Sequence, residues 1–149
     1  MPFLRIRGIP TLALAAASAC SSSNGKSHPK PVISVGGIYQ TQVTLVQNEC
    51  PGQSVEQHPT LVRHQPGSTT VALTHAGSTY SGTLASDGSF STTPVKQVFD
   101  EVAYTIGISG KFSVTSLDAL VQVDAARPPP CSFTARWAGP KDGDSNVIP

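Results

Sequence analysis

Ser116-Leu117-Asp118-Ala119-Leu120-Val121-Gln122-Val123-Asp124 is the stretch that decides the fold. Leu117, Ala119, Val121 and Val123 fall on one side of an extended chain, with Ser116, Asp118, Gln122 and Asp124 on the other. A period of two marks a strand with one face buried; a helix would need a period of 3.6.

The same alternation recurs on both sides of it. Phe133, Ala135 and Trp137 alternate with Thr134 and Arg136; Tyr104, Ile106 and Ile108 alternate with Thr105 and Gly107. Further out lie Tyr80-Gly82-Leu84, Val71-Leu73-His75 and Tyr39-Thr41-Val43-Leu45. Turn signals fall between these runs. Gln65-Pro66-Gly67-Ser68, Ala76-Gly77-Ser78, Ser86-Asp87-Gly88-Ser89 and Ser109-Gly110-Lys111 all read as hairpin connections. Val95, Val98, Phe99 and Val102 sit at helical spacing, so that segment reads either as a weak strand or as a short helical turn. The expectation is an all-β domain, an antiparallel meander of six to eight strands with few or no helices. A meander of this length hides its edges by closing into a small barrel, the preferred reading, or by folding into a β-sandwich. Tyr39, Val43, Leu45, Leu117, Val121, Phe133 and Trp137 are the expected inner set, read as core rather than pocket because a small domain needs them for stability.

Composition narrows the function. The chain has 149 residues, of which 13% are charged, with 10 basic against 9 acidic. That balance leaves no electrostatic footprint for nucleic acid. Solvation rests on Ser, Thr, Gln and Gly. There is room for one domain, placed at residues 37–138.

The N-terminal region has a separate logic. Arg5 and Arg7 precede the apolar run Ile9 to Ala19, which is too short to cross a bilayer. Small residues follow, then Cys20. This is the layout of a secretory signal over residues 1–19. The junction Ala17-Ser18-Ala19-Cys20 resembles the lipobox of bacterial lipoproteins, with Ala17 where that family prefers Leu. Ala17-Ser18-Ala19 equally fits ordinary signal peptidase, which would leave a soluble secreted protein. The resemblance implies lipid on Cys20, anchorage to the cell envelope and, in a Gram-negative host with Ser21 after the Cys, sorting to the outer membrane. Residues 20–36, rich in Ser, Gly and Pro, then read as a flexible tether. Loss of Arg5 and Arg7 leaves 8 basic residues against 9 acidic.

Cysteine counting fits this. Of Cys20, Cys50 and Cys131, pairing Cys50 with Cys131 leaves Cys20 at the lipid position. A free thiol, an intermolecular bridge through Cys20 and two buried thiols at Cys50 and Cys131 are the competing readings. The disulfide would close a loop of about 80 residues and stabilise by roughly 4–5 kcal/mol at most.

Catalytic chemistry is not legible. His28 sits in the tether; His58, His64 and His75 lack a metal-ligand spacing, and counting from the Pro66-Gly67 turn does not place His64 and His75 opposite each other. Asp100 and Glu101 are adjacent and so point apart in a strand. Asp118 and Asp124 lie on a polar face. A nucleophile elbow, a P-loop and a dinucleotide fingerprint are all absent from the sequence. No cofactor is expected. Gly37-Ile38-Tyr39 at a strand start and Arg136-Trp137 in the last strand faintly resemble lipocalin-like barrels, which would imply a small apolar ligand inside. The reading that remains is a non-catalytic interaction or structural module of the envelope, with a protein or a glycan as partner. Residues 139–149 read as a disordered tail.

Overall fold

The computed structural model describes residues 29–149. The expected signal peptide, the lipid-bearing Cys20 and the tether up to His28 lie outside the described residues. Ten strands follow in chain order: β1 (Gly37–Tyr39), β2 (Gln42–Asn48), β3 (Thr60–Arg63), β4 (Thr70–His75), β5 (Ser78–Leu84), β6 (Ser89–Thr92), β7 (Val95–Phe99), β8 (Val102–Phe112), β9 (Ser116–Ala125) and β10 (Cys131–Pro140). Among the described residues there is no helix. The fold is all-β and antiparallel throughout.

The strand order is β1-β3-β4-β5-β6-β8-β9-β10-β2, with β7 also on β8. Most neighbours are consecutive in sequence, as short turns dictate. The count exceeds the expected six to eight because two long strands are each broken. Thr41 N donates to the Tyr39 carbonyl at 2.9 Å, a tight kink that separates β1 from β2. Thr93-Pro94 separates β6 from β7, since proline has no N–H for a ladder.

These breaks also correct the expected closed barrel. The sheet curls into an open half-barrel. β1 ladders with β3 and β2 ladders with β10, but no ladder joins β2 to β3. β6 ladders with β5, whereas β7 ladders with β8 alone. The sheet therefore splits toward one end into a short flap, β3-β4-β5, and a longer curved panel, β7-β8-β9-β10-β2.

The helical spacing of Val95 to Val102 belongs to the β7–β8 hairpin. Val95, Gln97 and Phe99 take the inner face there, opposite Ile106, Tyr104 and Val102. The turn expected at Ser109-Gly110-Lys111 is interior to β8 instead. A Cβ on Gly110 would stand 2.3 Å from the Asp118 carbonyl oxygen, so glycine lets the strongly coiled β8 press against β9 without breaking.

The inner face holds one core. Tyr39, Phe112 and Phe90 pack as tilted rings, with centroids 5.5 Å and 4.9 Å apart in turn. Leu73, Val71, Leu117, Ala119, Val121 and Ile108 fill the middle. One end is capped. Ile33 and Val35 are buried there, Ser34 bridges Val147, and Asn146 is buried against the Tyr39 hydroxyl. Two expectations are corrected by this cap. Residues 33–36, expected as part of a flexible tether, are packed on the domain instead, because Ile33 and Val35 supply apolar surface that the core takes up. Residues 139–149 are not a disordered tail: β10 runs through Pro140, and the last residues dock on the cap through Asn146 and Ile148.

Candidate functional site: the open end

The opposite end carries the β4–β5 and β7–β8 turns, the Ala126–Pro130 connection and the long segment 49–59. Here the panel of β7 to β10 and β2 projects past the shorter flap. Its inner face continues the apolar alternation with little to cover it. Phe99, Tyr104, Ile106, Val123 and Phe133, together with Gln53 from the 49–59 segment, line a depression of about 280 Å³. Phe99 is 54% exposed and Val98, on the outer face of the same strand, 69%. Phe99 and Tyr104 meet as tilted rings 5.9 Å apart. Of the inner set expected as core, Tyr39, Val43, Leu117, Val121 and Trp137 are buried, but Leu45 and Phe133 are only half-buried. Phe133 belongs to the depression.

Segment 49–59 crosses this end as a strap. The structure joins Cys50 to Cys131 in a disulfide, with Cα atoms 5.3 Å apart. Both half-cystines sit where β2 and β10 lie side by side, so the ladder itself brings them together. Val55 packs against the core. Gln57 reaches Val43 on the unladdered edge of β2: its Nε2 donates to the Val43 carbonyl and its Oε1 accepts from the Val43 N–H, both at 2.8 Å.

Behind the strap lies a buried polar chain. Thr41 Oγ1 donates to the His58 carbonyl at 2.9 Å and sits 2.8 Å from Thr60 Oγ1. Thr60 Oγ1 lies 3.0 Å from His75 Nδ1. The His75 ring stacks on Trp137, with centroids 3.9 Å apart, and meets the His58 ring edge-on at 5.7 Å. Burial, and secondarily the nearby His58, push the His75 pKa down to about 4. His75 is thus neutral at physiological pH and serves as an aromatic floor for Trp137.

The sequence considered His64 and His75 as the histidine pair; the structure brings His58 and His75 together instead. His64 lies at the capped end, where Nε2 donates to the Ser68 carbonyl at 2.9 Å and Nδ1 accepts from Val35 N at 3.4 Å. No spacing signal could have found the His58–His75 contact, because it depends on the path of the strap. Among the described residues, no group of three His, Cys, Asp or Glu side chains is placed to hold a metal ion. Arg136 is on the outer face, where its Nε donates to Asp118 at 2.8 Å and pulls that carboxyl below its ordinary pKa. Asp100 and Glu101 form the β7–β8 turn.

A second hollow, about 680 Å³, runs over the outer face of β3, β4 and β5 between Arg63, His64, Ser68, Thr70, Ser81 and Thr83. It is shallow and of mixed lining, with hydroxyls, Arg63 and His64 beside Val71 and Ala72. By contrast, the depression at the open end offers mostly apolar contact, with the Gln53 amide and the Tyr104 hydroxyl as its polar groups. No protein-family model, curated protein or solved structure matches this chain.

Proposed function

We propose that this protein is an exported lipoprotein of the cell envelope, held by lipid on Cys20, whose β domain is a non-catalytic interaction module working through its open end. The observation that carries the reading is the apolar depression around Phe99 and Phe133 at the uncapped end. Uncovered apolar surface rimmed by polar residues is the usual mark of a contact surface. Its position fits an anchored protein. The chain enters the domain at the capped end through Ile33, and β9, with 10 residues at about 3.4 Å each, sets the open end roughly 34 Å away. An anchor at Cys20 would leave that end facing outward.

The size of the depression favours a protruding side chain of a partner over a whole lipid. It lies below the range of about 300–1,000 Å³ for pockets that enclose a drug-sized ligand. A lipocalin-like ligand in the sheet interior is the weaker reading, since Tyr39, Phe90, Phe112 and Trp137 fill that space.

Two measurements test the proposal. Cys20→Ala should shift the protein from the membrane fraction to soluble or unprocessed material. Mass spectrometry that finds an unmodified Cys20 peptide would overturn the anchor and favour cleavage after Ala19. Phe99→Ser with Val98→Ser should abolish site-specific cross-linking from position 53 to an envelope protein while leaving the fold intact. Unchanged cross-linking would remove the open end as the interaction element.

A further inference from the structure

We infer that the Cys50–Cys131 disulfide is a reducible clasp on a flap of residues 51–56, and that a dithiol partner opens this flap to widen the apolar depression, of which Gln53 forms one wall. The inference rests on the reading of that depression as the interaction element.

The flap is bounded by two hinges that do not need the disulfide. At one, Glu49 N donates to the Ser132 carbonyl at 2.9 Å and Ser132 Oγ donates to Glu49 Oε2 at 3.0 Å. At the other, Gln57 is fixed on Val43, and the His58 carbonyl accepts from Thr41. Between them the chain is lightly held. Among the described residues, the hydrogen bond from 51–56 to another element is that from Arg127 Nη2 to the Pro51 carbonyl, at 3.4 Å. The packing of Val55, the 3.2 Å contact of Glu56 Oε2 with His58 Nε2, the Gln53 N–H on the Cys50 carbonyl at 3.3 Å and the disulfide complete the attachment. Gly52 adopts a φ of 75° with open space around it, which suits a loop tip. Gln53, at the centre of the flap, forms part of the wall of the depression.

The disulfide is placed to be reached. A cavity of about 330 Å³ lies beside it, walled by Glu49, Pro51, Arg127, Pro128, Pro129, Pro130 and Cys131. Cys50 is only 2% exposed, whereas Cys131 is half-buried and faces this cavity. Arg127 Nε donates to Cys131 Sγ at 3.1 Å. A fixed cation beside a sulfur attracts an incoming thiolate and stabilises the thiolate that later departs.

The chemistry is thiol–disulfide exchange with a dithiol. Its thiolate attacks Cys131 Sγ, the S–S electron pair leaves with Cys50 Sγ, and that thiolate takes a proton from water. The second thiol of the dithiol, as thiolate, then attacks its own sulfur in the mixed disulfide and releases Cys131 as a thiolate beside Arg127. Two electrons pass to the protein, and the dithiol leaves as its own disulfide. The hinges keep their hydrogen bonds, so residues 51–56 swing out while the sheet stays intact.

The test uses the full chain with dithiothreitol as the dithiol, and iodoacetamide with mass spectrometry to count freed thiols. Expected is reduction without denaturant, unchanged Trp137 fluorescence and β-sheet circular dichroism, and, in the reduced and alkylated protein, faster thermolysin cleavage between Ser54 and Val55, about tenfold or more. Cleavage between Glu101 and Val102, at the β7–β8 turn, should not change. N-phenyl-1-naphthylamine fluorescence should rise on reduction as the depression opens. Arg127→Gln should slow reduction several-fold and Arg127→Lys should largely retain the rate, with both variants as stable as the wild type in the oxidised form. The inference is overturned by a bond that yields only in denaturant, by unaltered cleavage at Ser54–Val55 in the reduced protein, or by loss of the whole fold on reduction. Equal probe binding before and after reduction overturns the gating alone. A probe that binds neither form, with Ser54–Val55 freed for cleavage, overturns the interaction reading of the depression and the gating with it, while the reducible flap stands.

Discussion

Gln57 stands in for a missing strand beside Val43. Its side-chain amide makes the two hydrogen bonds that a laddered neighbour of β2 would make, one to each backbone group of Val43. The seam between β2 and β3 is thereby blunted without being closed, which protects an edge that would otherwise invite pairing with another chain. Gln57→Ala should cost about 1–2 kcal/mol, because a buried N–H and C=O lose their partners together. Gln57→Glu should cost at least as much at neutral pH, since a carboxylate cannot donate to the Val43 carbonyl. It should recover as pH falls through the carboxyl range and the acid regains a proton. Urea unfolding at pH 7 and pH 4 measures both. Equal stability of Gln57→Ala and wild type would show that water replaces the amide without loss.

His75 makes stability depend on mild acid. Its folded pKa, about 4, lies below the unfolded value of about 6.5. The unfolded state therefore binds the extra proton first as pH falls. The contribution is fully present above about pH 6.5, is lost progressively down to about pH 4, and changes no further below that. The groups facing the ring are Thr60, Trp137 and His58, whose Nε2 lies 3.2 Å from Glu56. With His58 half-exposed beside it and screened by water, the expected loss between pH 7.5 and pH 5 is about 1–2 kcal/mol. His75→Gln should be less stable at pH 7.5 but should show a flatter profile. A wild-type profile parallel to that of His75→Gln would exclude His75 as the source.

The parts of this fold that depend on local pattern could be read from the sequence. The alternation in β4, β5, β8, β9 and β10 assigned their inner residues correctly, and Asp87-Gly88 marked a turn. The Cys50 and Cys131 pairing followed from counting thiols. What failed was non-local. The break at Thr93-Pro94 and the kink at Gln40-Thr41 open the half-barrel, and each depends on which edge the next strand finds. Phe133 looked like core because its strand alternates perfectly, yet the strand outruns the shorter β3-β4-β5 part of the sheet that would have covered it. The tail looked disordered because Lys141 to Asn146 is polar, while the feature that orders it, the Tyr39 hydroxyl, is over 100 residues away in sequence.

The β7–β8 turn carries removable strain. Asp100 and Glu101 both adopt left-handed backbone, with φ of 48° and 64°, as a two-residue type I′ hairpin turn demands. Glu101 has no side-chain property that favours this conformation. Glu101→Gly should stabilise the domain by about 1 kcal/mol, and Asp100→Asn with Glu101→Gly by slightly more. Thermal unfolding should show a Tm higher by a few degrees. A lower Tm for Glu101→Gly would mean that the glutamate makes a stabilising contact that outweighs its strain.

Tyr39 ties the C-terminal segment to the core. Its hydroxyl lies 2.7 Å from the Val35 carbonyl oxygen and 2.8 Å from Asn146 Oδ1, and its ring is fully buried. Asn146 in turn donates through Nδ2 to the Ser113 carbonyl at 2.7 Å, so one phenol links the N-terminal segment, the C-terminal segment and the β8–β9 turn. Tyr39→Phe should cost about 1–3 kcal/mol by removing the one O–H that the buried Val35 carbonyl and Asn146 Oδ1 share. Asn146→Ala should cost a similar amount, and the double variant should lose less than the sum, because both changes remove the same hydrogen bond. Burial raises the Tyr39 pKa to about 12. Its contribution is therefore complete below about pH 10 and is lost as pH rises toward 12, where the unfolded phenol has already ionised. The wild-type advantage over Tyr39→Phe should hold from pH 7 to pH 9.5 and shrink above pH 10. A chain truncated after Pro140 should lose at least as much as Asn146→Ala, because Ile148 leaves the core with it. Equal denaturation midpoints for the truncated and full chains would show that the cap contributes nothing to stability and that residues 141–149 merely rest on it.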